Sequence, residues 1–223
     1  PLPISEERLS SLKAQEILIT PQNLILPPKR KQTAHKGDSG HLLVIGGSSG
    51  LTGALCLASE AALRSGSGLV MAATARSLSP IVEMKLTEPV KLGLPDLDGA
   101  VHEGALHDIL TASKTANAVL LGPGLARHTR TVHLVRELIT QLAVPMILDA
   151  DAIYAVSKDV SILKKIKQSV ILTPHPGEMG LLLHLTARDV QKNRWDLARA
   201  FAKEHNVVLV LKGAGTVVAL ADG

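Results

Sequence analysis

The sequence has 223 residues, of which 46% are hydrophobic and 20% charged, and this length and composition suit a globular protein with a full core. The net charge is +4, the basic residues form no stripe, and one Trp, one Tyr and one Phe are the only aromatic residues, which argues against nucleic acid as a partner. No apolar run approaches the roughly 18 residues of a membrane helix, and the N-terminus does not resemble a signal peptide, so we expect a cytoplasmic protein with no membrane partner.

Short, β-rich apolar runs recur along the chain and predict strands that are buried on both faces. In chain order they occupy residues 42–45, 68–73, 118–122, 145–150, 169–174, 207–213 and 216–220. Helical patterns lie between most of these runs, among them residues 53–65, 130–143 and 188–205. This alternation predicts a mainly parallel sheet with helices on both faces, in which ligands bind at the carboxyl ends of the strands.

The first loop after a predicted strand reads "GGSSGLTG" and leads into the predicted helix at 53–65. The exposed backbone N–H groups and the dipole at the start of that helix can accept an anion. No Lys follows Gly50 or Gly53, so the loop is not a Walker A phosphate loop. The glycine spacing departs from the dinucleotide fingerprint and the next strand ends without an acidic residue, which disfavours a nicotinamide-dependent dehydrogenase. Taken alone, the loop is equally compatible with a tight turn that binds nothing.

Six motifs, each just after a predicted strand, occur in a fixed order. They read "HKGDSGHLLVIGGSSGLTGA", "AALRSGSGLV", "LLGPGL", "MILDADAI", "ILTPHPGEM" and "VLKGAGTVVA". Together they resemble the ADP- or ATP-dependent NAD(P)H-hydrate dehydratases, a branch of the ribokinase-like superfamily. The resemblance implies a ribokinase-like three-layer α/β/α sandwich with a mainly parallel central sheet. It makes residues 31–223 the dehydratase domain and residues 1–30 an N-terminal extension, a linker or the tail of an epimerase domain.

The resemblance further implies an ADP-dependent enzyme that repairs NADH and NADPH after water has added to the nicotinamide ring. A nucleoside di- or triphosphate would donate its terminal phosphoryl group to the ring hydroxyl, and phosphate would then leave with help from the ring nitrogen. Such a step depends on positioning and charge stabilisation, which suits glycine loops at strand ends. The implied cofactors are Mg²⁺ and ADP or ATP. The implied substrates are NADH hydrate and NADPH hydrate, and the implied assembly is a homo-oligomer, a tetramer among relatives.

Eight site residues follow from the same resemblance. The hydrated dinucleotide is expected against Ala54, Gly124 and His175, for which the alternatives are helix packing, a turn glycine and a histidine that caps a carbonyl. The Pro residues on either side of His175 are expected to hold its ring as a donor. The adenylate half of the phosphoryl donor is expected on the "KGAGT" turn, where the lysine would oppose phosphate charge and the threonine would supply a hydroxyl or begin a strand. That turn comprises Lys212, Gly213, Ala214, Gly215 and Thr216.

Acidic candidates lie at two of the predicted strand ends. Asp149 and Asp151 stand where the wider superfamily keeps acidic residues near phosphate and metal, or they cap the helix that follows. Glu178 stands where related kinases position Mg²⁺ indirectly, or it favours the dipole of the helix that it begins. No residue is predicted as a direct metal ligand. The single cysteine, Cys56, lies in an apolar helical segment and is expected to be a small buried apolar residue.

One element of the family pattern is missing from the sequence. In the family, a G-[GST]-G-D motif follows "ADG"; its backbone forms the anion hole and its Asp is taken as the catalytic base. This sequence stops at Gly223. We therefore expect the base beyond Gly223, in a longer enzyme of which these residues are a piece, with a degenerate relative that does not turn over as the alternative. A vitamin-precursor kinase of the same superfamily and a non-catalytic adenine-nucleotide-binding module are further alternatives.

Overall fold

The computed structural model describes residues 17–22, 24, 33 and 35–222, so most of the predicted extension 1–30 lies outside the described residues. The described strands are β1 His41–Ile45, β2 Leu69–Ala75, β3 Val90–Leu94, β4 Asp96–Leu97, β5 Ala100–Val101, β6 Ala118–Leu121, β7 Met146–Leu148, β8 Val170–Leu172, β9 Val208–Leu211 and β10 Val217–Ala219. The α-helices are α1 Thr52–Arg64, α2 Ser79–Lys85, α3 Leu106–Ser113, α4 Thr129–Gln141, α5 Asp151–Ser157, α6 Pro176–Leu183, α7 Ala187–Lys192 and α8 Arg194–His205. Short 3₁₀ helices cover Lys36–Ser39, Arg76–Leu78, Glu103–Ala105 and Val160–Lys165. No helix in these ranges is long and apolar enough to cross a membrane.

Eight strands form one sheet in the order β10-β9-β8-β7-β6-β1-β2-β3. Neighbouring strands are parallel, except that β10 runs antiparallel to β9. Strands β4 and β5 form a separate antiparallel hairpin. The chain runs from β1 to β2 and β3 and then returns to the other side of β1 at β6. This reversal places the topological switch point between β1 and β6, where open α/β sheets bind ligands at the carboxyl ends of the strands.

Helices pack on both faces of the sheet, which confirms the predicted three-layer arrangement. Along β1, Leu43 and Ile45 belong to one buried cluster and Val44 to another, as the alternation of side chains in a strand requires. The smaller cluster joins β1 and β2 to α1 and α2, and it contains Cys56, which is buried as predicted. The larger cluster collects apolar residues from α3 to α8. Burial on both faces explains why the central strands are unbroken apolar runs.

The structure confirms the seven predicted strands to within a few residues and corrects one helix. The helix predicted at 188–205 is two helices, because α7 ends at Lys192 and Asn193 leaves the helical region with φ −128° and ψ 37° before α8 begins. The sequence analysis did not predict β3. That strand lies at the edge of the sheet, where it has one neighbour and contains Lys91 and Gly93, so it lacks the apolar run of a central strand.

Candidate active site

The loops after β1 and β6 meet at the switch point. The backbone N–H of Gly47 donates to the carbonyl oxygen of Pro123 at 2.9 Å, and the Thr74 hydroxyl donates to the Gly47 carbonyl at 3.4 Å. Gly47 has a φ of 74°, and a Cβ atom there would lie 2.8 Å from the Thr74 hydroxyl oxygen. Glycine is therefore required at this point of the turn, because a Cβ atom would crowd the Thr74 hydroxyl and the local conformation is left-handed.

Ala54 and Gly124, two of the predicted dinucleotide contacts, lie side by side at this switch point. Gly124 has a φ of 66°, and a Cβ atom there would lie 2.7 Å from the Leu51 carbonyl oxygen and 3.3 Å from the Cβ of Ala54. Ala54 is the third residue of α1, whose N-cap residue Leu51 offers no side-chain cap. The Ala54 N–H donates to the Leu51 carbonyl oxygen at 3.3 Å, and Leu51 provides no side-chain acceptor to the first amides of this helix, as at an anion-binding helix N-terminus.

His175 is the N-cap of α6 and shares a capping box with Glu178. Its Nδ1 accepts from the backbone N–H groups of Gly177 at 3.0 Å and Glu178 at 3.3 Å, and the Glu178 carboxylate accepts from the His175 N–H at 2.8 Å. The alternative that His175 caps a carbonyl is wrong, because its ring caps helix amides instead. With Nδ1 as the acceptor, a neutral ring carries its hydrogen on Nε2, which lies 3.5 Å from Oε1 of Glu178, and the side chain is 56% exposed. His175 can therefore donate from Nε2 at the carboxyl end of β8.

Neither aspartate after β7 caps α5. The N-cap is Ala150, and it makes no side-chain capping bond. Asp149 instead belongs to a polar cluster, in which its Oδ1 accepts from the Thr173 hydroxyl at 2.6 Å and from the Lys212 ammonium at 2.8 Å. Asp149 directly follows β7 and so lies at the carboxyl edge of the sheet. Asp149 is thus the carboxylate that meets the predicted phosphate turn.

Asp151, the first residue of α5, has different partners and contacts the loop that follows β6. Its buried carboxylate accepts from the Ala126 N–H at 2.9 Å and from Nε of Arg127 at 2.8 Å. The guanidinium of Arg127 also lies over the Tyr154 ring, 4.6 Å from its centroid. Because Ala126 has a φ of 68°, this carboxylate supports a loop whose backbone would otherwise be unfavourable. Asp151 therefore shapes the loop that contains Gly124.

The KGAGT turn, Lys212 to Thr216, connects β9 to β10 and lies at the surface. The Lys212 N–H donates to the Pro174 carbonyl at 2.8 Å, which joins this turn to the loop after β8. The Thr216 hydroxyl donates to the Gly213 carbonyl at 3.0 Å and so closes the turn, and β10 begins at the next residue. Gly215 has a φ of 69°, and a Cβ atom there would meet no atom within 4 Å. The outer side of the turn is therefore open to a ligand.

Lys212 lies between two carboxylates, with its ammonium 2.8 Å from Asp149 and 3.9 Å from Glu178. Within the described ranges, no group of three or more His, Cys, Asp or Glu residues could hold a metal ion. A dedicated protein cage for Mg²⁺ therefore does not fit these residues, whose carboxylates already face an ammonium. Mg²⁺ that arrives on nucleotide phosphates needs only one or two protein carboxylates, and Asp149 fits that requirement.

The predicted residues form two groups along the carboxyl edge of the sheet. Ala54 and Gly124 lie at β1 and β6, whereas Lys212 lies at β9, about 14 Å from β6 and about 19 Å from β1 if neighbouring strands are about 4.8 Å apart. The loops after β7 and β8 lie between them and contribute Asp149 and His175. The sequence analysis missed Thr173, Arg127 and Arg194, whose roles depend on partners distant in sequence.

The sequence pattern of the NAD(P)H-hydrate dehydratase family matches residues 42–223. A bifunctional NAD(P)H-hydrate repair enzyme of Moorella thermoacetica is 44% identical over 197 residues, which is 88% of this chain and 37% of that protein. An ADP-dependent (S)-NAD(P)H-hydrate dehydratase of Xanthomonas campestris is 36% identical over 190 residues, which is 84% of this chain and 63% of that protein. The solved structure of the ADP/ATP-dependent NAD(P)H-hydrate dehydratase of Bacillus subtilis, co-crystallised with ATP and Mg²⁺, has a TM-score of 0.70 and 31% identity, and the match covers 89% of this chain and 66% of that one.

These likenesses bear on the fold and on the family. The chain spans 37% of the Moorella protein and 63% of the Xanthomonas protein. The structural likeness to the Bacillus enzyme confirms the predicted ribokinase-like fold. Since the family pattern covers residues 42–223, from β1 through β10, the chain belongs to the NAD(P)H-hydrate dehydratase family.

Proposed function

We propose that the protein is an ADP-dependent lyase that dehydrates NADH hydrate and NADPH hydrate and so restores NADH and NADPH. One observation carries the proposal: a single edge of the sheet has a glycine-lined switch point at one end and a lysine-bearing glycine turn at the other. The Asp149, Thr173 and Lys212 cluster reaches from β9 to β7, between the two ends. This arrangement suits a reaction that brings two polyanionic nucleotides together.

The proposed chemistry makes a poor leaving group into a good one. The ring hydroxyl of the hydrated nicotinamide attacks the terminal phosphorus of ADP or ATP, and the bond to the nucleotide's bridging oxygen breaks to give AMP or ADP. The carbon–oxygen bond of the new phosphate ester then breaks, with the ring nitrogen supplying electrons, and a proton leaves the neighbouring carbon as the ring double bond returns. The oxygen of the added water thus leaves in the phosphate, and its two hydrogens leave as protons. Phosphoryl transfer of this kind depends on positioning and charge stabilisation.

The residues divide between the two ligands. We assign Ala54, Gly124 and His175 to the hydrated dinucleotide, with the first two allowing close backbone approach and His175 donating from Nε2. Lys212 faces the donor's phosphates, and the backbone of Gly213 to Thr216 supplies amide donors. The resemblance places the general base in a G-[GST]-G-D motif that the 223 residues do not contain, so its identity stays a prediction.

Mg²⁺ and the choice of donor belong to the same proposal. When bound, Mg²⁺ neutralises phosphate charge, and Asp149 is the residue that would contribute to holding it. The Xanthomonas relative is called ADP-dependent and the Bacillus relative ADP/ATP-dependent, which supports ADP as a donor here. A homo-oligomer, tetrameric by resemblance, also stays a prediction.

An absorbance assay tests the proposal. Hydrated NADH or NADPH is mixed with Mg²⁺, ADP or ATP and the full-length protein as its gene encodes it, and the near-ultraviolet absorbance of the reduced ring is followed. Nucleotide-dependent recovery of absorbance supports the proposal. A protein that phosphorylates an alcohol but restores no absorbance would be a kinase, and one that binds adenine nucleotide without any turnover would be a binding module. The family match favours the dehydratase over both.

A further inference from the structure

Arg194, the first residue of α8, lies beneath the KGAGT turn. It is charged, yet only 9% of the residue is exposed. Its guanidinium donates to three carbonyl oxygens, those of Leu211 at 2.8 Å, Gly215 at 3.1 Å and Lys212 at 3.4 Å. The amide oxygen of Gln191, from α7, accepts from Nη1 at 2.7 Å and holds the guanidinium from the other side. One planar side chain thus ties together the end of β9 and both ends of the turn.

The carbonyls that Arg194 binds set the direction of the amides in the turn. A trans peptide is planar, so its C=O and the following N–H point in opposite directions. Because the Lys212 and Gly215 carbonyls point to the guanidinium, the N–H groups of Gly213 and Thr216 point away from it. Within the described part of the chain, neither N–H donates a backbone hydrogen bond. Outward N–H groups in a tight turn form a concavity that binds anions.

Arg194 is also in close contact with the backbone of the turn. A Cβ atom on Gly213 would lie 2.8 Å from Nη1 of Arg194, and Gly213 has a φ of 145°. The turn therefore follows the surface of the guanidinium, and a side chain at Gly213 would push the two apart. Since a guanidinium stays charged at every physiological pH, it also adds positive potential beneath the turn.

We propose that Arg194 is a positioning residue for the phosphoryl donor: it holds the KGAGT turn so that the N–H groups of Gly213 and Thr216 face the donor's phosphates. The inference rests on the proposed nucleotide site. A lysine cannot take over this role, because a single ammonium lacks the planar fork that binds several carbonyls at once. Arg194 differs from Lys212, which touches the phosphates itself.

The test compares nucleotide affinity in wild-type protein and in Arg194→Lys, using the full-length protein as its gene encodes it. Isothermal titration calorimetry with ADP should give a Kd about tenfold higher for R194K, the effect of losing one charge-assisted hydrogen bond. Arg136→Lys is the matched control, because Arg136 is partly buried and donates to the Ala155 carbonyl at 3.1 Å, between α4 and α5. In steady-state assays, R194K should raise the KM for ADP and leave the KM for NADH hydrate unchanged, a split that a general loss of stability does not produce.

Four results would overturn the inference. Wild type and R194K with the same Kd for ADP would show that the guanidinium does not set the turn, and equal weakening in R194K and R136K would reduce its role to general stability. If wild type itself fails to bind ADP, the proposed nucleotide site fails as well, and this outcome is distinct from the first two. If R194K does not fold, Gln191→Ala decides: it removes the brace on Nη1 and should raise the Kd about threefold, and an unchanged Kd overturns the inference.

Discussion

The ammonium nitrogen of Lys212 lies 2.8 Å from Oδ1 of Asp149, so a lysine at the end of β9 and a carboxylate at the end of β7 contact each other across the loop after β8. The same oxygen accepts from the Thr173 hydroxyl at 2.6 Å. The Thr173 hydroxyl holds the Asp149 carboxylate in place, and that carboxylate in turn fixes the direction of the Lys212 side chain. The ion pair therefore orients Lys212 toward the carboxyl edge before a donor phosphate binds.

Replacement of Lys212 by Gln should weaken ADP binding, because it removes the cation that we propose lies opposite the donor's phosphates. We expect the Kd from calorimetry to rise about tenfold at low salt, and the difference to shrink as salt screens the charges. Lys192→Gln is the control, since Lys192 is exposed and its ammonium lies 3.8 Å from Asp189. Unchanged ADP affinity in K212Q, or the same loss in K192Q, would contradict this role.

A substitution at Gly124 tests the close approach between this residue and Leu51 at the switch point. Ala in its place is expected to lower the free energy of unfolding by about 1–3 kcal/mol through its left-handed φ, and more through the contact with the Leu51 carbonyl at 2.7 Å. It should also raise the KM for NADH hydrate. Gly215→Ala is the control for backbone strain, because Gly215 has a φ of 69° and an added Cβ there would meet no atom within 4 Å. If urea denaturation finds G124A no less stable than G215A, the contact with the Leu51 carbonyl does not destabilise G124A.

Asp151 should affect the dinucleotide side of the site and not the nucleotide side. Asp151→Asn weakens the acceptor of the Ala126 N–H and the Arg127 guanidinium, so we expect a loss of about 1–3 kcal/mol of stability and a higher KM for NADH hydrate. The Kd for ADP should not change. Asp159→Asn is the exposed counterpart and should cost less stability than D151N. If D151N raised the Kd for ADP as much as it raised the KM for NADH hydrate, the two halves of the site would not be separate.

The burial of His205 predicts that the stability of the fold depends on pH. The residue is 9% exposed, and its ring packs against Phe201. This burial lowers the pKa of His205 below the ordinary value of 6.5; the charge of Glu204 opposes the shift and that of Lys164 adds to it. Between the folded and unfolded pKa values the unfolded chain binds more protons, so the free energy of unfolding should fall as the pH drops below 6.5. His205→Gln should flatten this slope in urea denaturation at a series of pH values. Identical slopes would show that His205 does not cause it.

The sequence predicted the central strands because each is buried on both faces, but it could not distinguish the two aspartates of "DADA". Ala150 lies between them with a φ of 49° and a ψ of −111°, and the structure gives the two carboxylates different partners. Asp149 contacts Lys212 and Asp151 contacts the loop after β6. No propensity predicts that backbone conformation for an alanine, so the assignment needed the tertiary structure.

The β4–β5 hairpin and the role of Arg194 were not predicted from the sequence either, for two different reasons. The β4–β5 hairpin has Asp98 and Gly99 at its turn, with φ of 53° and 75°, and this Asp-Gly pair is a recognised hairpin signal that could have predicted it. Arg194 has no comparable signal. Its carbonyl partners lie 17 to 21 residues further along the chain, so the sequence places it simply within a helical pattern.

The most direct test of the account is a stoichiometry. Full-length protein, hydrated NADH, Mg²⁺ and ADP are combined, and phosphate, AMP and reduced dinucleotide are quantified in the same samples by phosphorus NMR and absorbance. If the two ligands meet on one edge of the sheet and the phosphoryl group passes between them, the three products should appear in equal amounts. Restoration of NADH without consumption of ADP, or consumption of ADP without restoration of NADH, would contradict the account.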